Sequence, residues 1–226
     1  MQVHDEVFMS NLLTLVIATT NPGKTAEIRD MLQNFPVSIK NLADFGPLPP
    51  VVEDGETFDD NAYKKASFFS KILGLPALAD DSGLVVDALG GAPGVYSARY
   101  AGENATDEQR YTKLLAEMKG KTNRKAAFEC VLSIAVPPGP ALTYEASCEG
   151  LIAEAPAGDG GFGYDPVFYY PPLKKTFGQL SIEEKSRVSH RGKALQELSQ
   201  EFDKVLIWIE QHLPVQERHG CQHEQH

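Results

Sequence analysis

Leu12-Leu13-Thr14-Leu15-Val16-Ile17-Ala18 is a short, nearly all-apolar run that leads straight into the polar turn Thr19-Thr20-Asn21-Pro22-Gly23-Lys24. The run reads as a buried strand. The turn reads as the mouth of a helix reaching about Gln33, with Ile28, Met31 and Leu32 on one face. Val37-Ser38-Ile39 reads as the next strand. A buried strand, a helix and a second strand in this order place the chain among α/β folds.

Further along, Thr57 and Asp60 form a capping-box pattern before a helix to about Leu73, with Phe58, Ala62, Phe69 and Leu73 at helical spacing. Residues 88–105 read as a long loop, a length often put to functional use. Thr106 caps another helix, ending near Lys119. Ala126–Val136 and Ala141–Glu149 are expected to pair as an antiparallel hairpin across Pro137-Pro138-Gly139-Pro140. A short strand is expected at Pro166-Val167-Phe168. Ser181-Ile182-Glu183-Glu184 is a second capping box, and Ser189 opens a final helix to about His212. Residues 1–11 read as an N-terminal extension, 12–213 as one domain and 214–226 as a polar, disordered tail. Its His and Cys side chains have no structure to fix them as metal ligands.

Ala79-Asp80-Asp81-Ser82-Gly83-Leu84 sets two adjacent carboxylates after the apolar run Leu75-Pro76-Ala77-Leu78. With Gly83 as a tight turn, the pair is expected at the tip of a strand. There, carboxylates can hold a hard cation or activate water. An Asp-Ser-Gly turn capped by its own side chains would look the same, so the segment alone leaves both readings open.

Bulk properties narrow the partners. A net charge of −10 over 226 residues argues against binding to nucleic-acid backbones, which calls for a basic surface. Cys130, Cys148 and Cys221 make no CxxC pair and are odd in number, a pattern of reduced thiols that points to the cytoplasm. No apolar run approaches the length of a membrane span, and the acidic start, with Asp5 and Glu6, does not resemble a secretory signal.

Three more clusters carry potential chemistry. The turn Thr19–Lys24 at a helix start suits phosphate, although it lacks the Walker A pattern and an ordinary turn would read alike. Gly160-Gly161-Phe162-Gly163-Tyr164-Asp165 offers close backbone approach and aromatic faces for a base, or merely covers the core. Lys185, His190 and Arg191 put three potential cations around a helix start, where a solvated surface is the plain alternative. Together with the carboxylate pair, these clusters point to a nucleoside polyphosphate.

The same segments, in the same order, resemble the inosine triphosphate pyrophosphatase family. They are Ala18–Lys24, Thr57–Ala62, Ala79–Val86, Gly90–Tyr100, Gly161–Phe168 and Ser181–Gly192, within a likeness spanning about residues 12–210. The resemblance implies a central mixed twisted sheet with flanking helices, two-lobed around a substrate cleft. It implies hydrolysis of ITP, dITP and XTP to the monophosphate and pyrophosphate by a magnesium-dependent homodimer. Asp81 matches the catalytic residue and a metal ligand, with Asp80 beside it. Thr19, Thr20, Asn21, Pro22, Gly23 and Lys24 match the triphosphate loop, and Ser82 a substrate contact. Phe162, Gly163, Tyr164 and Asp165 match the nucleobase loop, and Lys185, His190 and Arg191 the remaining contacts. At one place the chain departs. Val52 stands where relatives carry a metal-site Glu, so either Glu53 takes over or the metal depends on Asp80 and Asp81. Two other functions fit the same residues, a pyrophosphatase for other modified nucleotides and a non-catalytic nucleotide-binding module.

Overall fold

The computed structural model describes residues 12–137 and 139–214, so the expectations for residues 1–11 and for the tail beyond Pro214 lie outside the described residues. Strand β1 (Leu13–Ile17) is followed by helix α1 (Pro22–Leu32), strand β2 (Val37–Asn41) and helix α2 (Phe58–Leu73). Then come β3 (Ala77–Val86), α3 (Asp107–Glu117), β4 (Lys125–Ala135), β5 (Ala141–Ile152), β6 (Phe168–Tyr170) and β7 (Lys175–Thr176). Helices α4 (Ile182–Val188) and α5 (His190–His212) close the described chain.

The strands form one seven-stranded sheet in the order β2-β1-β3-β4-β5-β6-β7. Strand β1 lies parallel to both β2 and β3, and every later pairing is antiparallel. This is the mixed sheet that the sequence implied. Its parallel half contains the β1–α1–β2 crossover, and in its antiparallel half β4 and β5 are joined as a hairpin. The β4–β5 hairpin is long, with Ala135 opposite Ala141 and Lys125 opposite Leu151. The three expected helix starts carry reciprocal caps: Thr57 with Asp60, Thr106 with Gln109, and Ser181 with Glu184.

Three expectations fail. Strand β3 runs unbroken for ten residues through Gly83, so there is no turn and the carboxylates are not at a tip. Gly83 is glycine because a Cβ there would meet Gly94 O at 2.6 Å and both Phe58 Cε1 and Ser97 Oγ at 2.7 Å. The residue lets the 3-10 segment Gly94–Arg99 lie against the strand. Residues 88–105 are therefore partly ordered and not a plain loop. The late strand is also displaced, covering Phe168–Tyr170, because Asp165–Val167 form a 3-10 turn instead.

On one face of the sheet, Leu15, Ile17 and Leu78 meet α1 and α5 through Ile28, Leu32, Leu198 and Phe202. On the other, Val16, Ala77 and Ala79 meet α2 through Ala66 and Phe69. Helices α4 and α5 touch backbone to backbone at Gly192, where an added Cβ would lie 1.7 Å from Ser186 O. Gly192→Ala is expected to cost about 2–3 kcal/mol, because a packed backbone cannot move aside as a side chain can. Urea unfolding checks this, and an unchanged midpoint would show that α4 is free to slide.

Candidate active site

Successive side chains of a strand point to opposite faces, and this separates the two carboxylates of β3. Asp80 shares the α1/α5 face with Leu78 and Ser82. Lys24 Nζ lies 2.8 Å from its Oδ2 and Arg191 Nε 3.2 Å, while Ser82 Oγ donates to the same oxygen at 3.1 Å. Burial alone would raise the Asp80 pKa, but Lys24, Arg191 and Lys65 outweigh it and hold the acid far below its usual range. Asp80 is 1% exposed. Arg191 also reaches Glu27 of α1 through Nη1 at 3.1 Å, so one network ties α1, β3 and α5 together.

Asp81 projects toward α2. Its Oδ1 accepts from Lys65 Nζ at 2.7 Å, and Glu53 Oε2 stands 3.1 Å from the same nitrogen. Burial raises the Asp81 pKa, and the opposing pull of Lys65 only partly offsets this. Burial works against the Lys65 charge, yet Asp81, Asp80 and Glu53 together keep that ammonium protonated. Asp81 and Glu53 thus converge on one cation.

At the start of α1, Asn21 Oδ1 accepts from Gly23 N at 2.9 Å and Lys24 N at 3.2 Å. Thr25 N bonds Asn21 O, and Pro22 has no N–H. The first-turn donors that the sequence reading offered to phosphate are therefore already engaged. What remains is the end of the helix dipole, the hydroxyls of Thr19 and Thr20, and the Lys24 ammonium.

At the opposite end, Phe162 lies on a loop in which Gly161 and Gly163 have φ of 75° and 65°. Lys185 Nζ sits 4.5 Å over the Phe162 ring centre and Arg191 Cζ 5.6 Å from it. Asp165 is buried; its Oδ2 accepts from Lys185 Nζ at 2.5 Å and from Phe162 N at 2.9 Å. His190 stacks on Phe128 with ring centres 4.6 Å apart. Burial, then the nearby Arg191 and Lys185, drives its pKa well below the usual imidazole value. His190 is therefore neutral near pH 7, and the expected trio of cations reduces to Lys185 and Arg191.

A cleft of about 1220 Å³ runs between these groups. Thr19, Thr20, Asn21, Pro22 and Lys24 line it, as do Glu53, Asp81 and Ser82, and the 162–165 loop with Lys185, His190 and Arg191. Of the residues singled out in the sequence, Asp80 and Gly23 do not.

A family model described as the Ham1 family matches residues 15–201. The chain belongs to the Ham1 family. Among its Ham1 relatives, a dITP/XTP pyrophosphatase of Syntrophobacter fumaroxidans is 63% identical over 195 residues, covering 86% of this chain and 84% of that protein. One from Desulfotalea psychrophila is 57% identical over 199 residues, covering 88% and 89%. The solved HAM1 protein of Coxiella burnetii superposes with a TM-score of 0.81 at 41% identity, covering 85% of this chain and all of that one. The Staphylococcus aureus Ham1 protein gives 0.79 at 40% identity, covering 85% and 99%. The resemblance seen in the motifs is borne out.

The Ham1 cleft also holds residues that the motifs did not single out. Lys65 is the foremost of them, and it left a trace in the sequence. Phe58, Ala62, Lys65, Ala66 and Phe69 share the buried stripe of α2, so a lysine stands at a position where an apolar residue is expected. Arg99, Asp107 and Arg110 also line the cleft and gave no such sign.

Proposed function

We propose that this protein hydrolyses deaminated purine nucleoside triphosphates (ITP, dITP and XTP) to the monophosphate and pyrophosphate. The observation that carries the reading is Asp81, a largely buried carboxylate that faces the large cleft and is paired there with the Lys65 ammonium. The names of the relatives support the same substrate class.

In this reading the triphosphate lies along Thr19, Thr20 and Lys24, with Lys65 beside Asp81. These side chains neutralise phosphate charge as compact ammonium groups and hydroxyl donors. Asp81 orients a water toward the α-phosphorus and accepts its proton at a carboxylate oxygen. Lys24 also holds Asp80 in place, so Asp80 keeps the phosphate-binding lysine aimed from below and does not contact the substrate.

The residues fit a magnesium ion: Asp81 and Glu53 are hard oxygen donors already gathered around one positive charge, the Lys65 ammonium. Two carboxylates with phosphate oxygens make up the kind of shell that Mg²⁺ takes. When bound, the ion would withdraw charge from the phosphates as a Lewis acid. The closeness of Glu53 to Asp81 supports Glu53 in the metal role left open at Val52, which is 70% exposed.

The base would rest near the Phe162 ring, where Lys185 and Arg191 present N–H donors to a 6-oxo group. Adenine would bring a 6-amino donor to the same place and leave both sides unpaired. The reading also takes the enzyme to be cytoplasmic, in keeping with the unpaired, buried Cys130 and Cys148, and homodimeric, which rests on the resemblance.

Pyrophosphate release with magnesium, measured side by side for ITP, dITP, XTP, GTP and ATP, tests the reading. The kcat/KM for the deaminated purines is expected to exceed that for ATP by about 10⁴-fold, the scale set by a missing hydrogen-bond partner. Equal rates for ATP, or binding without pyrophosphate release, would overturn it.

A further inference from the structure

The Phe162 platform is not held by its own loop alone. Gly163 N donates to Asp107 Oδ2 at 2.7 Å, a bond that joins residues 56 apart in the chain. Asp107 is the first residue of α3, directly after the N-cap Thr106. Its other oxygen accepts from Arg110 Nη1 at 2.5 Å. Asp107 and Arg110 both line the cleft beside the loop. The bond to Gly163 N fixes the plane of the Phe162–Gly163 peptide, and thus the direction in which Phe162 presents its ring. Such fixing matters here because Gly161 and Gly163 flank Phe162 in the left-handed region, where glycine gives the chain many other paths.

We propose that Asp107, steadied by Arg110, is a positioning residue for nucleobase binding: it acts through Gly163 to hold Phe162 in the orientation that meets the base. The inference rests on the reading that Phe162 contacts the base of the substrate. Asp107 itself touches no reacting atom. A carboxylate suits the task because its two oxygens serve the amide and the guanidinium at once, and a charged acceptor makes the stronger bond to a backbone N–H.

The test compares steady-state kinetics with ITP for the wild type and for Asp107→Ala, Asp107→Asn, Phe162→Ala and Thr106→Ala. Asp107→Ala is expected to raise KM about tenfold with kcat within about threefold, the split that marks lost binding and not lost chemistry. Asp107→Asn still offers an oxygen to Gly163 N and is expected to restore KM to within about threefold of wild type. Thr106→Ala weakens the start of α3 without touching Gly163 and is expected to leave KM unchanged. Amide hydrogen exchange at Gly163 is expected to quicken in Asp107→Ala and to stay slow in Asp107→Asn. An unchanged KM in Asp107→Ala beside a raised KM in Phe162→Ala would overturn the positioning role while the base-binding reading stands. An unchanged KM in Phe162→Ala would overturn both. A KM shift in Thr106→Ala equal to that of Asp107→Ala would reduce Asp107 to a helix cap.

Discussion

Asp81→Asn is expected to lower kcat by at least about 10³-fold while the protein stays folded, since loss of a general base costs 10²–10⁴-fold and the cation site fails with it. The amide nearly matches the carboxylate in shape, and its oxygen can still accept from Lys65. Lys65 also keeps Glu53 at 3.1 Å, so no buried charge is left alone. What disappears is the carboxylate on the α2 face of β3, the proposed proton acceptor. Single-turnover pyrophosphate release with ITP, alongside a thermal melt by circular dichroism, checks the expectation. Turnover within about tenfold of wild type in a folded variant would remove Asp81 from the chemistry.

Asp80→Asn is expected to behave in the opposite way, with stability as its main loss. Here the neutral amide takes the buried carboxylate from Lys24 and leaves Arg191 with Glu27 alone. Removing one partner of a buried ion pair costs about 3–5 kcal/mol, which for a chain of this size lowers Tm by about 10 °C. The sign of the pH dependence follows from the lowered pKa of Asp80. A depressed acid stabilises the fold above its unfolded value of 3.8 and loses that contribution as pH falls through the folded value. The wild type should therefore outlast Asp80→Asn near neutral pH, and the gap should narrow below about pH 4. Urea unfolding at several pH values measures the gap. If Asp80→Asn loses turnover at unchanged stability, Asp80 is a ligand of the ion and the division of labour along β3 is wrong.

That division was within reach of the sequence, and the error has a clear source. Reading Gly83 as a turn ended the strand early and put both carboxylates at its tip. Gly83 is there for a close approach by Gly94 and Ser97, a contact between segments that no local pattern reveals. Had β3 been read as continuous, side-chain alternation alone would have sent Asp80 and Asp81 to opposite faces. Elements with self-contained signals were legible. The apolar run of β1 is one example, and the caps at Thr57, Thr106, Ser181 and Ser189 are others. His190 was misjudged because its neutrality comes from Phe128 and from burial, neither of which a count of basic residues can see. Asp107 and Arg110 were passed over because they look like ordinary solvated charges at the start of a helix. Asp107 reaches Gly163, a partner far along the chain, and Arg110 pairs with Asp107.

Arg191 meets Asp80 across 111 residues and Glu27 across 164. During synthesis, then, the sheet can begin to form while the pocket still lacks the guanidinium that balances its deepest acid. A nascent chain gains its ability to handle nucleotides only once nearly all of it has left the ribosome and α5 has docked. Any product cut short before that helix leaves the carboxylates of Asp80 and Glu27 without the guanidinium that joins them.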